Sequence, residues 1–151
     1  MTFQYSTLGG EDGPARDASE LIETARRLPV WDEITIEREG AQFPRADLSW
    51  HDGHGFVLQC FENEQSGGFL LADAAALSLP EVDIVLGGQV QERWPRQLFV
   101  TRALADEALT DFLKTGTQKD TLHWIGTDAF PRETVWEGRA GREAWERSRD
   151  R

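Results

Sequence analysis

The chain of 151 residues carries 27 Asp and Glu against 16 Lys and Arg, a formal net charge of −11, with 39% hydrophobic and 10% aromatic residues. That length and apolar content suit one globular domain with its own core and exclude a disordered chain. The acidity argues against a phosphate-backbone binder, which needs clustered Lys and Arg, so no nucleic-acid partner is expected.

No apolar run approaches the roughly 18 residues of a membrane span, and MTFQYSTLGGEDG lacks the basic and apolar regions of a signal peptide. A cytoplasmic protein without a membrane partner is the expectation. Cys60 is the single cysteine, so the chain holds no internal disulfide and no Cys-based zinc site. Charge is unevenly spread. Between Arg132 and Arg151 six Arg meet five acids, a net of +1, which leaves residues 1–131 at −12. Two parts are therefore expected: a single α+β domain over 1–131 and a mixed-charge, Arg-rich C-terminal tail over 132–151.

Residues 1–16, with Gly9, Gly10, Gly13 and Pro14, read as a mobile lead or a short edge strand. Asp17 with Glu20 forms a capping box before Leu21, Ile22, Ala25 and Leu28, a helical stripe that Pro29 stops. Ile34 and Ile36 alternate with polar neighbours, as do Ala46, Leu48 and Trp50, so each set predicts a strand. Gly53 and Gly55 mark a hairpin turn, and the run from Phe56 to Phe61 is apolar enough for a central strand. A turn over 63–68 leads to Phe69-Leu70-Leu71. Residues 72–79 read as a helical turn or a loop closed by Pro80. Val82, Ile84 and Leu86 alternate as a strand that Gly87-Gly88 breaks. After Leu98-Phe99-Val100, Thr101 caps a second helix whose buried stripe is Leu104, Ala108, Leu109, Phe112 and Leu113, with Gly116 at its end. The segment from Thr121 to Ile125 closes as a strand. The order predicts an α+β fold, a mainly antiparallel sheet with two principal helices packed on one face.

Signals for catalysis are sparse. No nucleophile elbow, Walker loop or dinucleotide fingerprint is present, so no catalytic residue and no cofactor is assigned, and an enzyme is not expected. Cys60 reads as a small core residue inside its strand. His51-Asp-Gly-His54 is the one cluster of metal-ligand types, which His123 or Glu62 would complete, but H-x-x-H alone is weak and the plain reading is a polar turn with two solvated imidazoles. No metal is assigned. The acid pairs Asp32/Glu33, Glu62/Glu64 and Glu81/Asp83 read as solvated surface groups, because acid–base work needs one member kept protonated by burial. Trp50 and Trp124 fall on apolar stripes and read as core, and Trp31 as cover for the sheet edge. Trp136 and Trp145 sit in the charged tail, where they either dock it onto the body or anchor a partner.

The stretch GGQVQERWPRQLFVTRALADEALTDFLKTGTQKDTLHW, Gly87 to Trp124, carries a family signal. Its Trp94-Pro95, its apolar Leu98-Phe99-Val100, a helix ending Asp-Phe-Leu-Lys-Thr-Gly at Gly116 and a strand carrying Trp124 resemble immunity protein family one of bacterial polymorphic toxin systems. The resemblance covers roughly 17–126 and is most specific over Thr101–Trp124. It implies a cytoplasmic, non-catalytic protein that binds and neutralises a cognate bacterial toxin domain, commonly a nuclease or deaminase. The tail beyond Pro131 is outside the family pattern. Phe112, Gly116 and Trp124 map to fold-defining places, not to toxin contacts.

The expected function is therefore an immunity protein that meets its cognate toxin through an acidic surface, with electrostatic steering of the encounter. The candidate partner-binding residues are Asp52, Glu62, Glu64, Glu81 and Asp83. An alternative of another class is a small-ligand-binding or metal-dependent enzyme centred on the His51/His54 turn. A third is a scaffold that forms a homodimer through the Trp-bearing tail.

Overall fold

Asp17 and Thr101 start the two helices as the sequence predicts. The computed structural model describes residues 1–29, 31–65, 67–73, 81–86 and 90–126, and of 81–86 and 90–95 the backbone alone. Helix α1 runs Ala18–Arg27, with the Asp17 carboxylate accepting the Ser19 N–H at 3.2 Å. Helix α2 runs Arg102–Thr115, with the Thr101 hydroxyl accepting the Leu104 N–H at 3.3 Å. It ends at Gly116, whose φ of +71° is the left-handed conformation that glycine adopts without cost.

The strands are β1 (Phe3–Thr7), β2 (Asp12–Ala15), β3 (Ile34–Arg38), β4 (Arg45–His51), β5 (Gly55–Phe61), β6 (Phe69–Ala72), β7 (Glu81–Leu86), β8 (Val90–Pro95) and β9 (His123–Gly126). Seven form one antiparallel sheet in the order β2-β1-β3-β4-β5-β6-β9, while β7 and β8 pair with each other. The fold is α+β, as expected. Gly87-Gly88, residues 74–80, Trp136, Trp145 and the whole 132–151 tail lie outside the described residues.

Of the two readings of residues 1–16, a mobile lead or a short edge strand, the structure bears out the edge strand and adds a second strand inside it. These residues form the β1–β2 hairpin, with β1 paired on both sides and Pro14 on the outermost strand, where a missing N–H costs no ladder bond. A distant carboxylate fixes the turn. Asp32, 7% exposed, accepts the N–H of Leu8 at 2.7 Å and of Gly9 at 3.2 Å, besides its neighbour Glu33 N–H at 2.8 Å. Asp32→Ala is expected to lower stability by about 1–2 kcal/mol in urea unfolding, because part-buried N–H groups lose a charged acceptor. A loss below a few tenths would show that water replaces the carboxylate.

Register fills the sheet's first face. Ile34 sits opposite Leu48 and Ile36 opposite Ala46; Ala46 in turn faces Cys60, Leu48 faces Leu58 and Trp50 faces Phe56. These residues share one cluster with Leu21, Ile22 and Ala25 of α1 and with Ala105, Ala108, Leu109 and Phe112 of α2. Trp50 and Trp124 pack against it as half-buried rings, and Trp31 stays 44% exposed.

The second face is also covered over β5 and β6. Val57, Leu70 and Ala72 cluster with Leu98, the last residue of a single 3₁₀ turn over Arg96–Leu98, and with Phe99 just after it. Val100 then clamps onto β5, its N–H donating to Phe56 O at 2.8 Å and its carbonyl accepting the Phe56 N–H at 2.9 Å. Gly55 permits this approach: a Cβ there would lie 2.7 Å from Val100 O, and its φ is +136°.

Candidate functional site

Hairpin geometry separates the candidate acids. Asp52 is exposed in the β4–β5 turn, whereas Glu62 and Glu64 are exposed in the β5–β6 loop at the opposite end of β5. Seven strand residues lie between, so the two places are about 20 Å apart. Glu81 and Asp83 occupy β7 opposite Pro95 and Arg93, and their side chains lie outside the described residues. The five residues therefore do not form one described patch.

One end of the sheet gathers acids that the sequence reading did not combine. Because β3–β4 and β4–β5–β6 are antiparallel neighbours, the 39–44 and 62–68 loops emerge side by side, Arg45 lying opposite Phe61. Glu39, Glu62 and Glu64 are exposed there, and neither loop contains Lys or Arg. Arg38 and Arg45 stand at the flanking strand ends. Glu39 accepts a 2.8 Å hydrogen bond from the Thr2 hydroxyl, which ties it to the residue before β1.

The other end differs in character. His51 is buried at 7% exposure, its Nε2 lying 2.9 Å from Ser49 Oγ and its ring edge-on to Phe99 at 5.5 Å. Burial, aided by the nearby His54, pushes its pKa down to about 4, so it is neutral near pH 7. That corrects the reading of two solvated imidazoles: only His54 is exposed, and it too lies 5.5 Å from Phe99. Among the described residues no group of three or more His, Cys, Asp and Glu could hold a metal ion.

The second sheet face holds a polar cluster that sequence reasoning missed. Thr35, Asp47 and Gln59 lie opposite one another on β3, β4 and β5, and Glu37, Arg45 and Phe61 form the next row. Arg45 Nη2 is 3.3 Å from Asp47 Oδ2, with its guanidinium 4.4 Å from the Phe61 ring centre and 5.7 Å from that of Phe43. Burial raises the Asp47 carboxyl to about 6 against the pull of Arg45, and raises Glu33 to about 7 with help from the Asp47 charge. Asp47 Oδ1, Arg45 Nε and Gln59 Nε2 are buried and meet no hydrogen-bond partner among the described residues. Asp32 and Glu33 are thus not the solvated surface pair expected from sequence; Glu62 and Glu64 are exposed as expected. The missed signal was the apolar run of β5, which requires both sheet faces to be covered and so buries outward-facing neighbours on β4.

Comparison with known proteins gives no family: no family model and no curated protein matches the chain. Cys60 is the core residue its strand pattern indicated, buried at 2% exposure, and burial drives its thiol well above the ordinary range. No helix among the described residues is long and apolar enough to cross a membrane.

Proposed function

We propose that this chain is an immunity-type binding protein that neutralises a cognate toxin domain, a nuclease or deaminase, inside the cell that makes both. The observation that carries the reading is the exposed Glu39, Glu62 and Glu64 set on two adjoining loops free of Lys and Arg, in a chain of net charge −11. A toxin that acts on nucleic acid presents a basic substrate surface, and an acidic rim competes for it by charge complementarity. Rigid β-strands deliver both loops, so the acids reach the partner with little ordering cost. Glu62 and Glu64 come from the set chosen on sequence; Asp52, at the far end, belongs to a different surface. Resemblance over Gly87–Trp124 to immunity protein family one supports the same function. Glu81 and Asp83 remain candidates on β7.

Co-expression with the protein encoded beside this one tests the proposal. Rescue of growth together with co-purification of an equimolar complex is the expected result. Undiminished toxicity with no complex would refute it.

A further inference from the structure

The recess beside the β4–β5 turn is a cationic, aromatic pocket in an acidic protein. It measures about 450 Å³ and is walled by Arg26, Trp50, His54, Phe56, Phe99 and Arg102, among others. That volume is in the range of small-ligand sites. Four segments build it before any ligand arrives: the last turn of α1, the 53–56 stretch of the hairpin, 99–102, and Trp50 near the end of β4. The paired hydrogen bonds between Phe56 and Val100 hold the second to the third. Trp50 packs on Phe56 with ring centres 4.7 Å apart, and the Arg26 guanidinium lies over the Trp50 ring at 5.2 Å.

The charges define the ligand class. Arg26 has no carboxylate partner among the described residues, while Arg102 is held by Glu23 and by Ser19 Oγ at 3.2 Å. Both line the recess, which no described Asp or Glu does. A guanidinium held against an indole keeps its in-plane N–H groups free to grip a carboxylate. Flat rings on the walls suit a flat apolar body.

We propose that this pocket binds a small aromatic carboxylate, its ring against Trp50 and Phe99 and its anionic head on Arg26 and Arg102. The site is separated from the Glu39/Glu62/Glu64 rim by the length of the sheet, so it stands independently of the toxin-binding proposal.

Titration calorimetry of the full chain with 2-naphthoate, 2-naphthamide and acetate tests it. Naphthoate is expected to bind one site, and the amide and acetate at least about tenfold more weakly, since each lacks one half of the recognition. Arg26→Gln, an exposed change, is expected to weaken naphthoate by about tenfold while leaving the melting temperature in place. Chemical-shift changes at His54 and the Trp50 indole N–H would place the probe in the recess. No binding of naphthoate, equal binding of the amide, or an unaltered affinity in Arg26→Gln would overturn the assignment.

Discussion

Phe112→Ala is expected to remove about 3–5 kcal/mol of folding stability, the largest effect of any single substitution considered. Phe112 is 2% exposed on α2 and meets Phe3 of β1 with ring centres 5.0 Å apart and planes at 42°. The ring therefore joins the C-terminal half of α2 to a strand near the edge of the sheet. Truncation costs the transfer free energy of the ring plus a cavity that a helix pinned at Gly116 cannot collapse. With total stability of a domain near 5–15 kcal/mol, that loss brings the protein close to unfolding at ordinary temperature. Phe112→Leu keeps most of the volume and should cost about 1.5 kcal/mol or less. Urea unfolding of both variants decides the matter. A loss under about 1 kcal/mol for the alanine variant would mean that the ring is not a core element.

Stability is expected to fall as pH rises from about 4 to 7 by on the order of 2 kcal/mol, through Glu33 and Asp47. Burial lifts Glu33 from 4.5 to about 7 and Asp47 from 3.8 to about 6. The folded state then binds more protons than the unfolded chain across that window. Their favourable contribution is complete below about pH 4 and is lost as pH climbs through the folded values. His51 acts with the opposite sign. Its value drops from 6.5 to about 4, so the unfolded chain holds the extra proton and stability rises with pH between those limits. Comparing the wild type with Glu33→Gln/Asp47→Asn cancels the histidine contribution. The difference in unfolding free energy should shrink from acid to neutral pH, in favour of the double variant. Parallel profiles from pH 4.5 to 7.5 would contradict the burial of these two carboxylates.

Local signals made most elements legible. Asp17, Thr101 and Gly116 bound the helices because capping chemistry is set by residues within one turn. Strands β3 and β4 followed from alternation, and β5 from the apolar run Phe56 to Phe61, which was correctly central. What escaped depends on register or on partners far along the chain. The β1–β2 hairpin has little apolar content and is tied down by Asp32, more than twenty residues on, so its sequence left a lead and an edge strand both open. Asp47 alternates with Ala46 and Leu48 as a solvent-facing residue would; only pairing with Gln59 on a strand covered on both faces reveals its burial. The candidate acids failed to group for a related reason. Asp52 and Glu62 are near in sequence, yet an extended strand places them at opposite ends, whereas Glu39 and Glu62 are distant in sequence and leave the same end of the sheet, from β3 and β5 with β4 between them.

Association kinetics with the proposed toxin partner, measured by stopped flow over a range of salt, test the acidic rim most directly. For the wild type the rate constant should fall steeply with ionic strength. In Glu39→Gln/Glu62→Gln/Glu64→Gln it should drop about tenfold at low salt and depend only weakly on salt, with the melting temperature unchanged. Equal rates and equal salt slopes for the two proteins would show that binding does not pass through these loops.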